Sequence, residues 1–100
     1  MHIGSYKELK VWGRAIELVD LVYELTKEFP KAEEFGLKSQ MRRSAVSIPS
    51  NIAEGSQRNS DKEFLRFIHI AKGSLVELET QIIISQHQQF VLDDKCDALF

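Results

Sequence analysis

The sequence has little that would form a disulfide, a multi-cysteine metal site or a membrane span. It contains one cysteine, Cys96, so an internal disulfide and a zinc site built from several cysteines are both excluded. Its apolar runs are short, whereas a membrane-spanning helix needs roughly 20 consecutive apolar residues. The first residues are polar and do not resemble a signal peptide, so we expect a cytoplasmic protein without a membrane partner.

Motifs for catalysis and cofactor binding are also missing. The histidines, His2, His69 and His87, are too far apart to share a metal ion, and no Glu-x-x-His pair of the di-iron type occurs. There is no HExxH motif and no glycine-rich phosphate loop. We therefore predict that the chain is not an enzyme and has no catalytic residue, cofactor site or metal site. No small-molecule substrate is evident.

The composition is that of a small soluble domain. The chain has 100 residues, 43% hydrophobic and 28% charged, and residues 1–100 are expected to form one domain. Its net charge of −2 argues against a strongly electrostatic nucleic-acid binder, whose domain is normally basic. A domain of this size buries a modest core, so contacts with partner subunits would add stability.

Helical periodicity is the dominant pattern in the sequence. Apolar residues recur at spacings of three and four, which predicts long helices over Lys7–Glu28, Leu37–Gly55 and Asp61–Gln88. A short fourth helix is expected to begin near Asp93. The predicted fold is therefore all-α, an antiparallel up-down four-helix bundle with a short or truncated fourth helix.

Small residues mark the predicted helix ends and contacts. Ser5 and Ser60 are each followed three residues later by a glutamate, as in a capping box, and are predicted N-caps. Gly55 is predicted to be the left-handed residue that ends the second helix. Gly73 lies inside the third helix, where glycine costs about 1 kcal/mol relative to alanine, so we expect it to allow close helix approach within or between subunits.

Pro49 falls inside the second predicted helix. An internal proline costs roughly 3 kcal/mol because it lacks an N–H group and its ring crowds the preceding turn. The apolar stripe nevertheless stays in phase on both sides of it, which predicts one kinked helix. We expect the hydroxyls of Ser44 and Ser47 to bond the disturbed carbonyls. The stripe comprises Met41, Ala45, Ile48 and Ile52.

Basic residues are concentrated in the middle of the chain. Residues 38–72 contain seven basic and three acidic residues, a net charge of +4, whereas the rest of the chain carries −6. Such a segment is suited to a phosphate backbone; the alternative is a solvated face with local ion pairs. The candidate nucleic-acid contacts are Lys38, Arg42, Arg58, Lys62 and Arg66.

Several polar residues flank the apolar stripes of the second and third helices. We expect Arg43 to meet a glutamate of the third helix in a buried ion pair, an arrangement that can fix helix register. A subunit interface or a ligand-binding cluster is the alternative. The candidate cluster comprises Arg43, Asn51, Glu54, Glu77 and Glu79.

Three stretches of the chain carry a family resemblance. The run QMRRSAVSIPSNIAEG, the following DKEFLRFIHIAKGSLVELETQ and the opening YKELKVWGRAIELVDLVYELTKEFP resemble the 23S rRNA-intervening-sequence proteins over about residues 6–92. The resemblance implies an up-down four-helix bundle that assembles as a ring, typically a pentamer, without a demonstrated enzymatic activity. Related retroelement accessory variability proteins are strongly basic and are associated with nucleic-acid binding; this chain departs from them in its acidic net charge.

Three hypotheses for function follow. The first is a non-enzymatic homo-oligomer, a ring-forming scaffold of the intervening-sequence type. The second is an RNA- or DNA-binding ring that uses the basic 38–72 segment. The third is a protein-interaction module that accepts a partner helix in the place of the short fourth one.

Overall fold

The computed structural model describes residues 5–91, and this part of the chain contains helices and no strand. The all-α class is therefore confirmed. The predicted fourth helix, which would begin near Asp93, lies outside the described residues. The long helices are α1 (Lys10–Thr26), α2 (Leu37–Ser56) and α3 (Asp61–His87), with 3₁₀ turns at Tyr6–Glu8 and Lys31–Glu33.

Helix α2 lies between the other two helices. It makes extensive contacts with α3 and with α1, whereas α1 and α3 have little direct contact. Residues late in α1 bond residues early in α2, and Gly55 near the end of α2 packs on Phe67 near the start of α3. Neighbouring helices therefore run antiparallel, in an elongated body of 44 × 19 × 18 Å.

The core is formed by the central stripe of α2 and the facing sides of its neighbours. The stripe stays in phase through Pro49, which is itself buried, and the helix is continuous as predicted. The kink at Pro49 stays a prediction. The buried apolar residues of the core include Met41, Ala45, Ile48 and Ile52 on α2, Ala15 and Val22 on α1, and Phe67, Ala71, Leu78 and Ile82 on α3.

The first helix begins later than predicted. The Ser5 hydroxyl accepts a hydrogen bond from the Lys7 amide at 3.2 Å, but it caps a 3₁₀ turn. Leu9 then adopts an extended backbone conformation (φ −74°, ψ 124°), so α1 starts at Lys10 and ends at Thr26. This break places the Tyr6 ring edge-on to Trp12, with the centroids 5.3 Å apart. Helix α3, by contrast, begins where predicted, because the Ser60 hydroxyl accepts from the Glu63 amide at 3.2 Å.

The prediction for Gly55 is wrong. It lies within α2, which ends one residue later, and no glycine of residues 5–91 has a positive φ. A Cβ atom on Gly55 would lie 2.5 Å from the Phe67 Cβ, so the missing side chain permits close contact with α3. Gly73 differs, because no atom of the described residues lies within 4 Å of its Cβ position. The predicted close helix approach at Gly73 is therefore not made within residues 5–91, and close approach between subunits stays a prediction.

The hydroxyls near Pro49 have different partners from those predicted. Ser44 and Ser47 point toward α3 instead of toward the carbonyls disturbed by the proline. The Ser50 hydroxyl donates to the Val46 carbonyl at 2.8 Å, and the Asn51 amide donates to the Ser47 carbonyl at 2.8 Å. The side chains one and two residues after the proline thus bond the preceding turn.

Candidate functional site

The run QMRRSAVSIPSNIAEG, which lies on α2, forms a hydrogen-bonded contact with α3. The Ser44 hydroxyl donates to Glu77 Oε1 at 3.2 Å, and the Ser47 and Ser74 hydroxyls lie 2.9 Å apart. Gln81 also donates to Glu77, at 3.3 Å. Sequence reasoning missed the serines in this role. The signal was available, because Ser44 and Ser47 are three residues apart and so share the flank of the apolar stripe.

The predicted buried pair between Arg43 and a glutamate of the third helix does not form in the described part of the chain. Arg43 is exposed and takes part in none of the ion pairs found among residues 5–91. Ser44, and not Arg43, makes the contact with a glutamate of α3, because its hydroxyl bonds Glu77. Adjacent helical residues are about 100° apart around the axis, so Arg43 is turned away from the contact that Ser44 makes.

The other candidate polar residues do not gather into one cluster. Among residues 5–91, Asn51 bonds only within α2, and Glu54 pairs with Arg58 at 2.7 Å. Glu77 and Glu79 are two residues apart on α3 and therefore lie on nearly opposite sides of that helix. The structure thus places Asn51, Glu54 and Glu77 in separate local contacts.

The candidate nucleic-acid contacts separate into two groups. Lys38 and Arg42 lie in the first turns of α2, whereas Arg58, Lys62 and Arg66 lie around the turn between α2 and α3. With a rise of 1.5 Å per residue, most of the roughly 30 Å length of α2 separates the groups. One copy of the chain therefore does not present the five residues as one continuous surface.

Carboxylates and an aromatic ring bind the two arginines of the group at the α2–α3 turn. Arg58 pairs with Glu54 at 2.7 Å, and Arg66 pairs with Glu63 at 3.1 Å. The guanidinium carbons of Arg58 and Arg66 lie 4.8 and 4.6 Å from the centroid of the Phe67 ring. Both arginines therefore have local partners, as the ion-paired alternative predicted.

The charge of this group acts on Glu63. The hydrogen bond from Arg66 lowers the pKa of the Glu63 carboxyl below its ordinary value, and the positive charge of Arg66 lowers it further. Desolvation opposes the shift, while the charges of Arg58 and Lys62 add smaller lowering effects. Glu63 therefore remains ionised, and paired, to lower pH than an isolated glutamate.

Arg42 is built into the structure at the other end of α2. Its Nε donates to Thr26 Oγ1 at 2.8 Å, and its Nη2 donates to the Tyr23 carbonyl at 3.1 Å. The guanidinium lies 4.3 Å over the centroid of the Tyr23 ring. The Tyr23 carbonyl belongs to the last turn of α1, where carbonyls lack helical partners, so Arg42 acts as a cap from a neighbouring helix. The sequence pattern did not reveal this role.

Across residues 5–91, no three His, Cys, Asp or Glu side chains are grouped so that they would hold a metal ion. None of the helices in that range is both long and apolar enough to cross a membrane.

Comparison with known proteins agrees with the family resemblance of the three quoted stretches. The family model described as 23S rRNA-intervening sequence protein matches residues 7–100. The chain belongs to this family. The resemblance of the three quoted stretches is thereby confirmed, and the intervening-sequence family is not a known enzyme family. A search of curated proteins finds no match to this intervening-sequence protein.

Proposed function

We propose that this intervening-sequence protein is a non-enzymatic, cytoplasmic scaffold that assembles with copies of itself into a ring. The observation that carries the proposal is a set of large apolar side chains that α1 and α3 expose to water. Side chains at positions seven and eleven residues apart on α3 share one face, because these spacings are close to whole helical turns. The exposed members are Leu65 (55%), Val76 (54%) and Ile83 (49%) on α3, with Val11 (52%) and Leu21 (41%) on α1.

An exposed surface of this kind is costly for a chain of this size. A monomer rarely leaves contiguous apolar patches in water unless they contact a partner. A homo-oligomeric contact would remove the patch from water at about 25 cal/mol per Å² of buried apolar area. The pentameric stoichiometry comes from the family resemblance.

The solution mass tests the proposal. Light scattering after size exclusion, over a range of protein concentrations, should give a multiple of the 11.5 kDa chain, near five. Val76→Glu should lower the mass, because a charge would be desolvated in the contact. Asn59→Glu, which adds the same charge in the exposed α2–α3 turn, should leave the mass unchanged. A stable wild-type monomer at every concentration would refute the scaffold and favour the helix-accepting module.

A nucleic-acid-binding ring is a second candidate, favoured by the position of Arg58, Lys62 and Arg66 around one turn. Copies in a ring would multiply this charge at one end of the assembly. A gel shift with single-stranded RNA and duplex DNA should show binding that falls steeply with salt. Lys62→Glu should weaken it, whereas Lys10→Glu, on the exposed start of α1, should have little effect. No shift at low salt would remove this candidate.

A further inference from the structure

A positively charged cleft lies where the end of α1, the connecting loop and the start of α2 meet. Its volume is about 460 Å³, within the range of small-molecule sites. The charged side chains that line it are Lys38, Arg42, Arg43 and Glu34, a formal net charge of +2. The whole chain carries −2, so the cleft is a local positive site on an acidic protein.

Arg42 forms the ordered wall of the cleft. Two of its N–H groups bond Thr26 and the Tyr23 carbonyl, and its guanidinium lies over the Tyr23 ring. A guanidinium has five N–H donors, so three remain for a ligand. Thr26 is fully buried and donates in turn to the Val22 carbonyl at 2.8 Å, which fixes the oxygen that holds Arg42. An anion that binds here would order few additional rotamers.

The positive charges of the side chains next to Arg42 are only partly neutralised by carboxylates. Arg43 is exposed, and the ion pairs within residues 5–91 involve neither it nor Arg42. Lys38 is partly neutralised, because its Nζ lies 3.0 Å from Glu34 Oε1. Two guanidinium groups with free N–H donors favour an anion with two or more oxygens, such as a phosphate or a carboxylate.

Phe35 adds an apolar element at the same cleft. Its side chain is 95% exposed, the highest value among the exposed large hydrophobic residues of the described chain. The loop that presents Phe35 is anchored on its helix side, where Glu33 Oε1 accepts from the Leu37 amide at 3.1 Å. A planar ring bound against Phe35 would cover apolar surface that water now contacts, and offset stacking favours that arrangement.

We propose that this cleft binds a small organic anion in which a phosphate or carboxylate adjoins a planar ring. Arg42 and Arg43 bind the anionic group, and Phe35 stacks on the ring. The site does not depend on ring assembly, because every group that forms it belongs to one copy of the chain.

Calorimetry with the full chain and four probes tests the site. Phenyl phosphate should bind saturably, inorganic phosphate several-fold more weakly, and neutral benzyl alcohol not measurably. Benzoate compared with phenyl phosphate identifies which anionic group the site prefers. In NMR titrations, phenyl phosphate should shift the ring protons of Tyr23 and Phe35 and leave those of Trp12, which lies outside the cleft, unchanged.

Matched variants separate the site from general charge attraction. Arg43→Gln should weaken phenyl phosphate binding roughly tenfold, because a charge-assisted contact is lost. Arg14→Gln removes the same charge from the exposed surface of α1 and should bind as the wild type does. Phe35→Ala should weaken phenyl phosphate several-fold and leave inorganic phosphate unchanged. Circular dichroism confirms that each variant is folded.

Two results would overturn the proposal. One is the absence of saturable phenyl phosphate binding at millimolar concentrations. The other is an equal loss of affinity in Arg14→Gln and Arg43→Gln, because binding would then follow overall charge instead of the cleft.

Discussion

A Cβ atom added to Gly55 would lie 2.5 Å from the Cβ of Phe67 and 3.1 Å from a ring carbon of Phe64. Glycine at this position therefore sets the distance between the end of α2 and the start of α3. The same approach brings Phe67 beneath the guanidinium groups of Arg58 and Arg66. The absence of a side chain at Gly55 thus permits both the close packing of α2 on α3 and the contact of the two arginines with Phe67.

Gly55→Ala should destabilise the protein by roughly 1–3 kcal/mol, because the new methyl group forces the Phe67 backbone region away. The free energy of unfolding, measured in urea, checks this value. Gly13→Ala is the matched control, since no atom of the part of the chain that the structure describes lies within 4 Å of the Gly13 Cβ position. It should stabilise α1 by about 0.5–1 kcal/mol through helix propensity. Equal effects of the two substitutions would contradict the packing argument.

Gly73→Ala should reduce assembly although it improves helix propensity. Within residues 5–91 the added methyl contacts no other group, so a loss of oligomer would place Gly73 in a contact between subunits. Light scattering gives the mass and urea denaturation gives the stability. An unchanged mass, together with a gain of about 1 kcal/mol, would show that Gly73 faces solvent in the assembly as well.

Arg42→Met should cost roughly 1–2 kcal/mol, because the Tyr23 carbonyl and the Thr26 hydroxyl lose a charged donor. Arg43→Met, one residue later, removes the same charge from an exposed side chain and should change stability by less than about 0.5 kcal/mol. Thermal and urea unfolding of the two variants give the comparison. Similar losses in both would mean that net charge, not the cap, accounts for the effect.

The lowered pKa of Glu63 predicts an acid-dependent loss of stability. A carboxyl with a depressed pKa stabilises the fold above its unfolded pKa, and this contribution disappears as pH falls through the folded value. The melting temperature of Glu63→Gln should therefore fall less than that of the wild type as pH drops below the ordinary pKa range of glutamate. Near neutral pH the variant should be less stable than the wild type. Glu17→Gln, which removes an exposed carboxylate from α1, is the control. Parallel profiles for wild type and Glu63→Gln would contradict the role of the Arg66 contact.

Periodicity predicted the long helices well because each has an apolar stripe that must be buried. The start of α3 was predictable because the Ser60 cap is a local interaction. The start of α1 was not, since Leu9 adopts an extended conformation that the helical stripe does not encode. Gly55 was misassigned for a similar reason: local sequence signals a helix end, whereas the deciding contact with Phe67 is made by another helix.

The candidate sites were harder to predict because they depend on which side of a helix each charge occupies. Arg42 and Arg43 are adjacent in sequence, yet one caps α1 and the other is exposed. Charge clustering along the sequence placed Lys38 and Arg58 together, whereas the length of α2 separates them. The serines that bond α3 carry no charge, so a search for ionic partners passed over them.

The central position of α2 has a consequence for how the chain folds and opens. Because the extensive contacts join helices that follow one another in sequence, each helical hairpin closes a short loop, which favours rapid folding. Helix α1 packs less extensively on α2 than α3 does. Helix α1 should therefore detach first, and its amides should exchange with solvent before those of the α2–α3 hairpin.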